Sequence, residues 1–377
     1  MRKCSVLKIT AFFLLCGLAP VLYAQQYLYT NDFMPSNNTT TALTVSKAGV
    51  VKAIDTYPTG GPSQTGGALF AMTEIAYAQT KSNLCLFVSN GGNSTIAAFT
   101  INSANGRLKA VHGSPFSDGA SGSQGDGMSL TVGDNKLLFA GNTSAYNISV
   151  LRISPTCSLK AVSTANTNGN TPVGMKVTPN GKYLIASYLQ PIDSFSIDYT
   201  AGTLTELGPF SSQGYTAGMD ISCDSSTVYV GDAAQYTQVE VFSINSAGQL
   251  TEINNFNNDN GQNSNNVVLS RNEKYLYVSN TMSFQVTTLS VGADGALTYD
   301  STTSLNNPGN TGMYALGLAI GESGADLFVE EVNNPESIGS LAIKGKNLKE
   351  VTGSPFPVVN NSYNSATFIA LPPKSCK

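Results

Sequence analysis

Apolar residues in this chain come in short runs, each closed by polar or turn-forming residues. One kind of run recurs seven times: YLYTND (27–32), CLFVSN (85–90), LLFAGN (137–142), YLIASY (183–188), TVYVGD (227–232), YLYVSN (275–280) and DLFVEE (326–331). Its second residue is Leu28, Leu86, Leu138, Leu184, Val228, Leu276 and Leu327, so successive copies lie 58, 52, 46, 44, 48 and 51 residues apart. Runs of four to eight residues, rich in β-branched and aromatic types and bounded by Gly, Asn, Pro or Asp, predict strands. A strand repeat with a period near 45–50 predicts a ring of blades.

The clearest unit is 172–210. PVGMKVTP turns at Asn180-Gly181 into YLIASY, continues as DSFSID, and turns at Ala201-Gly202 into TLTELGPF. Asn-Gly tolerates positive φ and suits a tight hairpin. VEVFSINSAGQLTEI (239–253) matches IAAFTINSANGRLKAV (96–111) almost residue for residue, and GSPF occurs at Gly113–Phe116 and Gly353–Phe356. The first unit has only three strands, and SATFIALPP (365–373) is left over after the seventh. The expected fold is all-β: a seven-bladed propeller of four-stranded antiparallel blades, strands a to d from the axis outward. The C-terminal strand closes the ring inside the N-terminal blade, which leaves only short, protected edges.

Length alone, 377 residues, would allow two average domains, but one ring uses the whole chain. The expected organisation is a secretory leader over 1–24 and a single domain over 25–377. Arg2, Lys3 and Lys8 precede an apolar stretch, Ile9 to Leu22, with Ala24 at a plausible cleavage point. That stretch is shorter than the roughly 20 residues a membrane span needs. An exported chain, periplasmic or secreted, is expected, with no membrane span once the leader is removed. Residues 25–377 hold 17 basic and 24 acidic side chains, a net charge of −7 with no basic stripe, which disfavours nucleic acid and anionic membranes as partners. A monomer is expected. Trp is absent, and so are the Gly-His and Trp-Asp pairs of WD40 rings.

Four cysteines follow the leader: Cys85, Cys157, Cys223 and Cys376. A Cys85–Cys376 bond would clamp the ring closure, while Cys157 and Cys223 fall in non-adjacent blades.

Ligands are expected at the channel mouth, built by the b–c and d–a loops. Asp126, Asp232, Glu330 and Glu331 are candidate binding residues there. Inner strands open with small–apolar pairs, Gly127-Met128, Gly174-Met175, Gly218-Met219 and Gly317-Leu318, which crowding near the axis explains. Ser129, Lys176, Asp220 and Val268 should share one level, so Lys176 and Asp220 of adjacent blades should meet, either as a substrate clamp beside a carboxylate base or as a structural ion pair. No cofactor is required; clustered carboxylates would suit Ca²⁺, although no binding motif is present. His112, the only histidine, falls on the outer rim, and no G-x-S-x-G, H-E-x-x-H, P-loop or dinucleotide motif occurs.

TPNGKYLIAS (178–187), SRNEKYLYVSN (270–280), FSINSAGQLTEI (242–253) and the GSPF phrases resemble the lactonase family of seven-bladed propellers over about 26–373. That family includes the 6-phosphogluconolactonase and fungal muconate cycloisomerase types and overlaps with YVTN-repeat proteins. The resemblance implies a hydrolase of a sugar or related lactone. It also implies channel-facing His, Arg and Glu residues, often in a His-Pro setting before strand b. This chain has no such histidine, and Arg107, Arg152 and Arg271 belong to outer strands or turns, so no catalytic residue carries over. The alternative is a non-catalytic exported propeller whose Asn- and Tyr-rich loops bind a glycan, peptide or protein. Convergence of Lys176, Asp220, Asp126 and a glutamate in a closed pocket would favour the enzyme; a channel lined by Met, Gly and Ser would favour the binder.

Overall fold

The computed structural model describes residues 25–63, 71–120, 127–188, 190–212, 214–233, 238–257, 263–306, 314–321, 323–332, 337–358, 368–371 and 376. The leader and Asp126 lie outside the described residues. The chain forms seven antiparallel sheets, one per repeat, and the described residues contain no α-helix. The recurring run is strand b of each blade: Gln26–Thr30, Leu84–Asn90, Leu137–Asn142, Tyr183–Tyr188, Thr227–Asp232, Tyr275–Asn280 and Asp326–Val332. The leftover strand, Phe368–Leu371, pairs with Gln26–Thr30 (Leu371 opposite Tyr27, Phe368 opposite Thr30) and becomes the inner strand of blade 1. Ring closure is therefore as the repeat count predicts.

Burial follows the layers. Strand b of blade 3, LLFAGN, is buried throughout, because a neighbouring blade covers each face. Strand d of the same blade, Leu159–Asn166, alternates exposed positions with buried or partly buried ones as a half-exposed edge should. The core is accordingly seven clusters, one at each blade junction. Phe139 and Phe195 meet between blades 3 and 4, Tyr277 and Leu327 between blades 6 and 7, and Phe328 and Leu28 across the closure.

Two details depart from the expected scheme. Blades 2 and 7 carry a fifth, two-residue strand, Phe116–Ser117 and Phe356–Pro357, each pairing with strand c. Each belongs to a GSPF phrase with a cis Ser-Pro bond, and the outer strand leaves the sheet before that phrase and rejoins it at its end. In blade 3, Val132 is the partner of Leu138 just as Val177 is of Leu184, so Thr131, not Ser129, is level with Lys176.

The disulfide pairing differs too. Cys85 bonds Cys157, and Cys223 bonds Cys376. Strand parity explains why Cys85 cannot clamp the closure. Cys85 and Phe87 face blade 3, where Cys157 lies, whereas Leu86 and Val88 face blade 1. Cys376 instead reaches the a–b turn of blade 5.

Candidate functional site

Inner strands of all seven blades surround an axial cavity of about 480 Å³. Antiparallel order puts the b–c and d–a connections on one face, here called upper, and the a–b and c–d turns on the other. In blades 4 to 7 the inner strand carries a bulge near its upper end, at Pro172/Gly174, Thr216/Met219, Ser264/Asn266 and Ala315/Leu318. Bulges re-aim side chains and are enriched beside functional sites.

Lys176 and Asp220 meet as expected, with Nζ 2.6 Å from Oδ1. The Asp220 carboxylate is engaged on both oxygens: Oδ1 also accepts the Ile221 N–H (2.9 Å) and Oδ2 the Leu269 N–H (2.8 Å). Lys176 belongs to blade 4, Asp220 to blade 5 and Leu269 to blade 6. The pair thus ties three blades near the lower end of the channel, which is the structural ion-pair arrangement.

The glycines near the axis answer to crowding. A Cβ on Gly174 would lie 2.6 Å from the Ala217 carbonyl oxygen of the next blade, and one on Gly218 2.5 Å from the Asn266 side chain. Much of the cavity wall is apolar: Met175, Met219, Ile75, Leu318 and Phe368.

The two residues ending strand b have opposite duties. The first of them (Asn31, Ser89, Gly141, Ser187, Gly231, Ser279, Glu330) faces the inner strand of the next blade. Ser187 Oγ donates to the Ala217 carbonyl at 2.7 Å, and Ser279 Oγ to that of Leu316 at 2.6 Å. The second (Asp32, Asn142, Tyr188, Asp232, Asn280, Glu331) turns into its own blade, except in blade 2, where Asn90 Oδ1 accepts the Thr59 hydroxyl of blade 1 at 2.6 Å. Asn280 Nδ2 donates to Thr287 Oγ1 at 2.8 Å, Asp32 accepts the Thr39 and Thr41 hydroxyls at 2.7 Å each, and Asp232 accepts the Tyr215 N–H at 3.0 Å. Asp232 and Glu331 are therefore fully buried inside blades rather than displayed at the mouth. Glu331 occupies the space above Gly339, and burial pushes its carboxyl up to about 9, with the Glu350 charge adding to the effect.

Glu330 has a different place. It sits against the inner strand, where its Oε2 accepts the Gly317 N–H at 3.1 Å. Its counterpart is Glu74, which the sequence reading passes over. The b-strand register aligns Glu74 with Ser129, Gly174, Gly218 and Gly317, a row of otherwise small residues that Asn266 alone also interrupts. Glu74 is buried, and Asn31 Nδ2 donates to its Oε2 at 3.0 Å. Asn31 is itself held by Asn38, whose Nδ2 donates to Asn31 Oδ1 at 2.7 Å. Burial first, and then the Glu330 charge, raise the Glu74 carboxyl well above its ordinary range; the Asn31 amide and the Met128 N–H pull the other way. The two carboxyls flank blade 1 at the upper end of the channel and act on each other through a medium from which water is largely excluded.

Arg107, Arg152 and His112 lie away from the cavity lining. Arg107 pairs with Asp55 at 2.8 Å on the exposed rim, Arg152 donates to the Tyr199 carbonyl at 3.0 Å, and His112 is exposed in an outer turn. Among the described residues, no three carboxylates at the mouth come within 4.8 Å of one another as a cation would require.

This ring, with its axial cavity, is a seven-bladed β-propeller. The family model "Lactonase, 7-bladed beta-propeller" matches residues 80–190 and 186–313, and the chain belongs to that family. Solved structures share the fold at low identity. A Bacteroides fragilis protein assigned as a 6-phosphogluconolactonase superposes with a TM-score of 0.70 at 19% identity, covering 88% of this chain and 95% of that one. One so assigned from Bacteroides uniformis gives 0.71 at 15% identity, covering 92% and 99%. The periplasmic gluconolactonase of Pseudomonas aeruginosa gives 0.68 at 17% identity, covering 92% and 100%. No curated protein matches the chain in sequence.

Proposed function

We propose that this lactonase-family propeller hydrolyses a sugar lactone at the upper end of its channel, with Glu74 and Glu330 as the acid–base pair. The observation that carries the reading is that pair: two buried carboxyls from different blades, of which Glu74 is pushed up by burial first and then by the charge of Glu330. Environments that push two carboxyls apart assign them opposite proton roles. Glu330, as the base, takes a proton from water as the water oxygen bonds to the acyl carbon. The ring C–O bond breaks, and the departing alkoxide takes the proton of Glu74. The product is an open hydroxy acid, which releases a proton at neutral pH. Exchange with solvent returns the proton from Glu330 to Glu74. The Asn38–Asn31 relay keeps the Glu74 carboxyl oriented.

This step requires no cofactor, so a chelator should leave turnover unchanged. In this reading the chain works as an exported monomer; the two disulfides support an oxidising compartment. The test is proton release from a panel of sugar and aliphatic lactones by residues 25–377. Glu74→Gln and Glu330→Gln should each lower kcat by roughly 10²- to 10⁴-fold while the fold is retained. Wild-type binding without turnover on any lactone would sink the hydrolase reading and make this a binding protein.

A further inference from the structure

Of the 17 Lys and Arg residues after residue 24, fifteen lie among the described residues, and their distribution over the seven-blade frame is one-sided. The b–c connections are NDFMPSNN (31–38), GGNS (91–94), TSAY (143–146), LQP (189–191), AAQYT (233–237), TMSF (281–284) and NNPE (333–336). None contains Lys, Arg or His. The d–a connections, 59–74, 118–127, 167–171, 207–215, 258–263, 305–313 and 358–367, contain none either. They do contain acids, among them Asp32, Glu74, Asp118 and Asp126. The described cations lie instead in lower turns, among them Lys81, Lys136, Lys182, Arg271 and Lys274, and in outer strands; Lys374 and Lys377 lie outside the described residues. Among the described residues Lys176 is the one cation lining the channel, and Asp220 already holds it at 2.6 Å.

We infer that the upper channel selects an uncharged, hydroxyl-rich ring and rejects its phosphorylated counterpart. The inference rests on the hydrolase reading for the identity of the ring, and deepens it. A phosphate entering from the upper face loses hydration and meets carboxylates and amides but no cation to replace the lost water. A cavity of about 480 Å³ accommodates a six-membered sugar ring. Asn and Ser/Thr groups of the connections offer the donors and acceptors that hydroxyls need.

The experiment is calorimetric binding of a six-membered polyhydroxy lactam, which cannot be hydrolysed as the lactone is, and of its phosphate ester. Both are titrated into the wild-type protein at about 0.02 M and about 0.5 M salt. Roughly tenfold or greater preference for the neutral lactam at low salt, narrowing at high salt, is the expected result. Met282→Lys, at a position 54% exposed in the b–c connection of blade 6, should narrow the preference further by placing one cation on the upper face. Equal or tighter binding of the phosphate ester, or binding of neither ligand, overturns the inference. Preferential binding of the neutral lactam with no hydrolysis of the lactone upholds the charge selection while the hydrolase reading fails.

Discussion

At position 331 a carboxyl occupies the place that Asn fills in blades 2, 3 and 6, and strand c opposite it offers Gly339 where blade 6 offers the Thr287 hydroxyl. With no such donor, burial lifts the acid from its ordinary 4.5 to about 9. The folded chain therefore keeps a proton that the unfolded chain gives up above 4.5. Stability on this account is greatest below pH 4.5 and falls as pH rises towards 9. At pH 7 the loss is about 3 kcal/mol, from two and a half pH units at about 1.4 kcal/mol each. Glu331→Gln should remove that slope: the variant gains on the wild type by about 3 kcal/mol between pH 4 and pH 7 in denaturant unfolding. A constant offset at every pH would refute this origin. Glu74 and Glu331 show the two sides of legibility. Glu331 is conspicuous in DLFVEE, yet strand parity turns it inward. Glu74 sits in a long connection where no run announces it, and only the register of the short strand beside it aligns it with a row of small residues.

Strands carried most of the readable signal, because a buried strand b needs apolar residues on both faces and the turns beside it need Gly, Asn or Asp. Pairing partners were harder to read. Cys85 lies near the closure along the chain, but the side-chain period of two sends it to blade 3. The inner-strand glycines were legible for the same reason strand b was: the axis leaves no room. Gly174→Ala tests this. Its Cβ would meet a backbone carbonyl of the next blade at 2.6 Å, which cannot yield unless a strand moves. A loss of about 1–3 kcal/mol in unfolding free energy is expected. Stability equal to wild type would mean that the blades can separate at their inner ends, and the crowding argument would fall.

For the ring as a whole, closure depends on one four-residue strand, Phe368–Leu371, that must hold blade 1 against blade 7. The junction cluster containing Leu28 and Phe328 includes Ala370 and packs Phe368 at its edge. Five residues beyond that strand, Cys376 is bonded to blade 5, so the closing segment is tied to the ring on both sides. Such a bond stabilises chiefly by limiting the unfolded chain, and for its separation of 153 residues the entropic contribution is at most about 5 kcal/mol. Cys85–Cys157, with a separation of 72, joins only neighbouring blades and leaves the closure untouched. The two should therefore fail differently. Cys223→Ser/Cys376→Ser should lower the melting temperature and make the segment after residue 357 the first site of proteolysis, because a freed closing strand can peel while the other blades stay packed. Cys85→Ala/Cys157→Ala should lower the melting temperature without that early cut. Identical cleavage patterns in the two variants would show that closure is held by the sheet of blade 1 alone and that the second disulfide contributes only general stability.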